Sequence, residues 1–364
     1  MPETAPPSTM RAVVFDQGSS SRLDRVPTPS PSAGEVLLRP IRVGVCGTDE
    51  HLLHGGFIAK FPLIPGHEIV AEIVGYGDGT HGPDIGTQVV VDPTVFCGDC
   101  PACKRGQPGY CSSFGSLGCD RAGGFAEFLV AQTSKIFPTN GLSPDVAVLA
   151  EPTACAMHGV DILALKPASD VLIFGAGPTG LILAQLLRMA GAARVTVAAP
   201  TASKLDLAKR QGASHTVQVD RSNPQVAEAE LRRIAPEGFD AVVEATGSIS
   251  VLEMGVGLTR NGGTILVYGL AGEQALAKVR PYEIFSRELT IKGSFAQAHC
   301  IDRALFALQS GQVSTEGIIT SAIGLEQFQH ALDNLHDSEQ IKSVIIPNST
   351  ERDARSRVSV FTQN

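Results

Sequence analysis

Val171-Leu-Ile-Phe174-Gly175-Ala-Gly177-Pro178-Thr179-Gly180, continuing through Leu181 to Ala190 and Gly191, is the stretch on which the fold turns. Four apolar residues in succession suit a strand buried on both faces. Glycines follow at once, then an apolar run that reads as a helix closed by Gly191. A second strand begins at Arg194 and runs to Ala198. In that order a G-x-G-x-x-G reads as a phosphate-binding turn. Gly175 permits the turn, Gly177 lets backbone approach a pyrophosphate, and Gly180 lets helix pack on strand. The helix N-terminus, with Pro178 and Thr179, offers the positive partial charge.

Working outward, the alternation continues. Thr216 to Val219, Asp240 to Glu244, Thr264 to Tyr268 and Leu289 to Lys292 read as strands three to six. A doubly wound, α/β Rossmann domain for a dinucleotide is therefore expected over residues 163–299. The rest reads differently: Met10 to Phe15, Glu35 to Val45 and Ile69 to Tyr76 are strand-like, so a mostly-β catalytic domain is expected over 10–162, resuming at 300–347. A chain of 364 residues has the length for two such domains, at roughly 150 residues each. Residues 1–9 read as a loose Pro-rich leader, and 348–364 as a polar tail. Leu289 to Phe295 could serve as an edge strand pairing across a two-fold axis, so a homodimer or homotetramer is expected.

Composition narrows the partners. Hydrophobic residues make up 43% and charged ones 18%, enough apolar material for two cores and too little charge for a disordered chain. Acidic residues outnumber basic ones, 37 to 29, for a formal charge of -8. That sign argues against nucleic acid or an anionic membrane as partner. The N-terminus lacks a basic, apolar secretory pattern, and no unbroken run of the ~20 apolar residues needed to span a bilayer is present. Cytoplasm is the expected location.

The second strand of the dinucleotide unit ends unusually. An Asp or Glu about 20 residues past the first glycine normally binds the adenosine ribose 2'-hydroxyl of NAD. Here the sequence runs Val195-Thr-Val-Ala-Ala199-Pro-Thr201-Ala-Ser203-Lys204. Ala199 cannot repel a 2'-phosphate, Thr201 and Ser203 can donate hydrogen bonds, and Lys204 brings charge. NADP is thus favoured over NAD.

Four of the eight cysteines crowd one segment, Cys97-Gly-Asp-Cys100-Pro-Ala-Cys103 and then Cys111. Disulfides are the plain alternative, but nothing points to export, and cysteines three apart are awkward partners for independent bridges. An iron–sulfur run would continue with a three-residue gap where this one has seven. Four thiolates so spaced suit one tetrahedral structural Zn2+, in a lobe over residues 93–115. A closed four-sulfur site has no open position and holds structure together. Cys119, Cys155 and Cys300 lack ligand spacing and read as buried or incidental thiols.

A third set is dispersed: Cys46-Gly-Thr48-Asp49-Glu50-His51, Gly66-His67-Glu68, and Glu151-Pro152. Thiolate, imidazole and carboxylate are the donors of an open, catalytic zinc site. His67 and Glu68 are adjacent, so they can share a metal only if the chain bends, which Gly66 allows. Cys46 and His67 are two ligands, and the third is Glu68 or Glu151.

Together these motifs resemble the zinc-containing medium-chain alcohol dehydrogenases from Met10 to about Pro347. Further matches are Gly34-Glu-Val36, Gly86-Thr-Gln-Val-Val, Gly123-Gly-Phe-Ala-Glu127, Glu244-Ala-Thr246-Gly247 and Leu289-Thr-Ile-Lys-Gly-Ser294. Glu151-Pro152 resembles the polyol and threonine dehydrogenase branch, and the phrase from Glu151 to Asp161 looks similar to fungal D-arabinitol dehydrogenases. The resemblance implies a GroES-like catalytic domain, two zinc ions per subunit, and oxidation of a polyol or secondary alcohol by hydride transfer to NAD(P). It implies a proton route through Thr48 and His51, or through a water beside Glu151. Asp49 would orient a ligand. Thr246, Ser294 and Phe295 would touch the coenzyme, and Lys342 would pair with its pyrophosphate. Sorbitol-type enzymes carry a tyrosine where Leu52 stands and an arginine where Ala296-Gln297 stands, so a pentitol is favoured over a hexitol. Threonine and butanediol dehydrogenases are the nearest alternatives, and a non-catalytic protein of the same fold is a remote one.

Overall fold

A computed structural model describes residues 6–17 and 20–349. The chain divides into two compact units, changing over after Glu151, Cys300, Phe306 and Gly317. The first changeover precedes the boundary read at residue 162. The helix Ala150–Leu163 is continuous across it, and nearly all of that helix belongs to the second unit.

The second unit is built on six parallel strands. In spatial order they are His215–Gln218, Arg194–Ala199, Asp170–Phe174, Phe239–Glu244, Thr259–Val267 and Thr290–Gly293. Numbered along the chain this is 3-2-1-4-5-6, the doubly wound order whose reversal point lies beside the first strand. Leu172 and Ile173 on that strand are wholly buried, each contributing about 1.5–3 kcal/mol on removal from water. Such an apolar run belongs at the centre of the sheet, and that is where it sits. Thr290–Gly293 is an edge strand.

The first unit carries a seven-stranded sheet. Its main path is Ile319–Ile323, Lys342–Ile345, Glu35–Gly44, Glu68–Tyr76, Gln88–Val91 and Ile136–Pro138, with Leu129–Gln132 also pairing with Glu35–Gly44. All its pairings are antiparallel except Ile319–Ile323 with Lys342–Ile345. Inward residues Leu38, Val43, Ile69, Ile73 and Val89 pack with Phe125, Phe328 and Ile345 in one core. Two of these strands end at the candidate site: Gly44 and Glu68 are opposite one another.

The leader and tail are shorter than expected. Thr9 opens a strand that pairs with Ser20–Pro27, and Ser8 accepts a hydrogen bond from Thr28 N at 3.1 Å. At the other end the Asn348 side chain donates to the Pro40 and Glu127 carbonyls, and Ser349 is buried. Residues 1–5 and 350–364 of those two expectations lie outside the described residues. Among the described residues one helical stretch, Pro144–Leu163, has the length and hydropathy of a membrane span. Two-thirds of its apolar window is buried inside the protein, as in a core helix.

Candidate active site and metal centres

In the second unit the glycine turn has the shape its sequence demands. Gly175 adopts φ +115°, which only glycine tolerates freely. A Cβ on Gly180 would lie 2.1 Å from the Gly175 carbonyl oxygen, whereas one on Gly177 would meet nothing within 4 Å. Close packing is thus enforced at Gly180 and open space is left at Gly177, the N-cap of the helix Pro178–Met189. Ala199 is the buried last residue of its strand, and Thr201 caps the following helix Ala202–Arg210 with Ser203 exposed. Lys204 is half-buried, Thr246 is exposed beside the Glu244 carboxylate it hydrogen-bonds, Ser294 is half-buried and Phe295 is exposed.

In the first unit Cys46, His67 and Glu68 converge. One ligand atom from each lies within 4.8 Å of the others. Gly66, at φ +96°, makes the bend, and a Cβ there would strike Phe125 at 2.9 Å. His67 precedes the strand Glu68–Tyr76, so strand alternation does not separate it from Glu68. Cys46 is the N-cap of the short helix Gly47–Leu53, and its N–H donates to the Asp49 carboxylate at 2.9 Å. The other Asp49 oxygen faces His67 Nδ1 at 3.7 Å, and neither atom has a hydrogen-bond partner. Cys46 Sγ lies 3.6 Å from Thr48 Oγ1, and half-buried His51 is on the same helix. Leu52 is fully buried in the core, and Gln297 is buried in the second unit with its Oε1 accepting from Cys300 N.

The electrostatics call for a cation. Burial pushes the Asp49 carboxyl up to about 6. Burial alone would lower the His67 imidazole, yet the thiols of Cys119 and Cys46, with Asp49, hold it well above its ordinary value. Electron-rich groups thus surround a ring that must take up either a proton or a metal. The buried Glu68 Oε2 accepts no well-directed hydrogen bond, although the Lys342 ammonium lies beside it. Donor type, spacing and unpartnered atoms all fit zinc.

Lys342 is buried, with Nζ 2.5 Å from each Glu68 oxygen, so it meets the metal cluster, a contact the sequence reading did not give it. Burial would lower its pKa, but Glu68, Cys46 and Glu151 raise it and keep it charged. Glu151 is therefore near, though outside the three-residue group. Two further contacts lie beyond the sequence reading. Cys119 is buried, one of the two readings given it, and its thiol lies against the His67 ring. Its loop is pressed there by glycines: a Cβ on Gly118 or Gly123 would lie 2.4 Å from Gly66 O. Gly44 leaves the space that Glu68 fills, since a Cβ there would sit 1.9 Å from Glu68 Oε2 and 3.0 Å from Lys342 Cε.

Cys97, Cys100, Cys103 and Cys111 form the second cluster, all four sulfurs within 4.8 Å of one another and none in a disulfide. Tetrahedral Zn–S bonds imply sulfurs about 3.8 Å apart, and the Cys97–Cys111 pair is at 3.5 Å. Backbone N–H groups of Cys97, Cys100 and Ser113 point at sulfurs at 3.3–3.4 Å. Donation by Cys103 and Ser112 pulls the Cys100 thiol down to about 6, whereas the Asp99 side chain pushes Cys97 up to about 12. A thiol lowered by amide donation, as Cys100 is, makes a ready ligand.

Comparison with known proteins places these features in context. Residues 32–141 match the family model described as alcohol dehydrogenase GroES-like domain, and residues 178–310 match zinc-binding dehydrogenase. D-arabinitol dehydrogenase 1 of Uromyces fabae is 41% identical over 343 residues, covering 94% of this chain and 98% of its own. A structure from Sinorhizobium meliloti 1021 described as a zinc-binding dehydrogenase bound to NADP is 30% identical with a TM-score of 0.87. One from Escherichia coli CFT073, described as an alcohol dehydrogenase with NADH, is 26% identical with a TM-score of 0.85. Each covers 94% of this chain and 100% of its own.

Proposed function

This chain belongs to the medium-chain, zinc-binding family of alcohol dehydrogenases with a GroES-like domain, and from that premise we propose that it oxidises a pentitol such as D-arabinitol to a ketose. The observation that carries the reading is the convergence of Cys46, His67 and Glu68. Bound in that cluster, zinc supplies Lewis acidity that makes an alcohol hydroxyl ionisable near neutral pH, and a nicotinamide coenzyme at the glycine turn supplies the hydride acceptor.

The protein's own groups do the rest. Cys46, His67 and Glu68 hold the metal, and Asp49 ties the Cys46 backbone to the His67 ring. Thr48 Oγ1, beside Cys46, takes the proton from the substrate hydroxyl. His51, three residues further on, passes it outward. Lys342 holds and aims the Glu68 carboxylate. Glu151, close enough for Lys342 to feel its charge, offers a second acceptor for a proton-carrying water. The four-cysteine lobe holds a second, structural zinc. Ala199, with Thr201, Ser203 and Lys204, supports NADP over NAD. The edge strand Thr290–Gly293 supports a homodimer or homotetramer, and the cytoplasm is the proposed location.

Initial rates with D-arabinitol, xylitol, sorbitol, 2,3-butanediol and L-threonine under both coenzymes test this reading. The expected result is the highest kcat/KM for a pentitol with NADP. A threonine or butanediol optimum overturns the substrate assignment, and an NAD optimum overturns the coenzyme assignment.

A further inference from the structure

A cavity of about 340 Å³ opens in the second unit, lined by Arg194, Lys209, Arg233, Ser214, Thr216 and Glu230 among others. Arg194 opens its strand, and Ser214 precedes the next one. The cavity is thus at the N-terminal ends of these parallel strands, whereas the glycine turn follows the C-terminal end of Asp170–Phe174. It is a different site from the coenzyme's.

Three cations face one carboxylate there, in a protein whose formal charge is -8. Lys209 and Arg233 have no ion-pair partner among the described residues, and Arg194 is held by Asp170. Ser214 Oγ accepts from Val195 N at 3.2 Å, which leaves its O–H proton to donate. Basic residues near helix C-termini are ordinary, because each end carries roughly half a negative charge. The two helices ending here, Ala202–Arg210 and Pro224–Ile234, each carry two basic residues in the last turn, Lys209 with Arg210 and Arg232 with Arg233, and Arg232 is taken up by Glu228. Two cations exceed the half charge of a helix end, and with the strand-borne Arg194 added, Glu230 and Asp170 offset their mutual repulsion only in part.

We propose that this cavity binds a small phosphate-bearing anion, with Lys209, Arg233 and Arg194 as charge partners and the Ser214 hydroxyl as donor. Its volume suits a phosphate ester or pyrophosphate, and polar groups dominate its lining.

Calorimetric titration of inorganic pyrophosphate into zinc-loaded enzyme saturated with NADP tests the proposal, since the coenzyme site is then filled. Saturable one-site binding is expected, weakened about tenfold or more by Lys209→Ala with Arg233→Ala. Lys209 and Arg233 are both exposed, so their replacement disturbs no core. Absence of saturable binding in the parent enzyme, or equal binding in the double variant, overturns the site. So does competitive displacement of the pyrophosphate by further NADP, which would place it at the coenzyme pocket.

Discussion

The two cysteine-bearing clusters of the first unit are opposite solutions to holding a metal. The four-cysteine lobe draws its donors from fifteen consecutive residues, partly exposed, with backbone amides pointing at the sulfurs. The Cys46–His67–Glu68 cluster draws donors from two separate strand ends, buries its carboxylates, and neutralises one of them with a lysine 274 residues away. Local chain geometry makes the first, so its chemistry is complete in itself: four thiolates and no vacancy. Sheet register makes the second, with three donors of three kinds. A closed site stabilises, and an open one can do chemistry.

The sharpest way to break that contrast is Cys46→Ser. If the cluster is the reaction centre, kcat/KM should fall about a thousandfold or more while far-UV circular dichroism and the thermal midpoint barely move. Retained turnover would remove the site. Cys100→Ser should do the reverse. Loss of a structural ligand costs folding energy, so the melting temperature should fall by about 5 °C or more, with kcat nearly intact in the fraction that folds. A variant that melts like the parent would show that the lobe needs no metal.

The same contrast explains what could be read from the chain. Spacing alone identified the lobe, and the glycine turn was legible because its strand, turn and helix are contiguous. The doubly wound sheet followed from repeated apolar runs, and the observed strands agree with those runs to within a few residues, except that the fifth begins earlier. Contacts between distant segments left no such trace. Nothing near Lys342 in sequence shows that it meets Glu68, because that pairing exists only once Lys342–Ile345 lies against Glu35–Gly44 and that strand against Glu68–Tyr76. The contact of the buried Cys119 with His67 was illegible for the same reason: a glycine-packed loop brings it there. The changeover after Glu151 falls inside a continuous helix, which gives no break in sequence.

Gly44 tests whether register really builds the open site. Its φ is not the left-handed kind, so alanine strains nothing in the backbone; the obstacle is Glu68 Oε2 at 1.9 Å from the added Cβ. Gly44→Ala should therefore push Glu68 from the lysine and the metal cluster together. Zinc affinity at that centre should weaken by about 10–100-fold, measured by competition with a chelator, with the lobe's zinc unaffected. Equal weakening at both centres would mean general unfolding and not a displaced ligand.

The smallest effect lies outside both clusters and serves as their control. Ala199→Asp places a carboxylate at the end of the second strand of the doubly wound sheet, where Ala199 is buried beside Val219 N, which donates to its carbonyl. A charge there repels a 2'-phosphate and can accept from a ribose hydroxyl, so the NADP-to-NAD ratio of kcat/KM should drop by about tenfold. Both metal contents should stay as in the parent, since no donor of either cluster belongs to that unit. An unchanged ratio would place the ribose pocket elsewhere. A change in metal content would show that the two units are not energetically separate, and the division of labour drawn between the clusters would then have to include the coenzyme sheet.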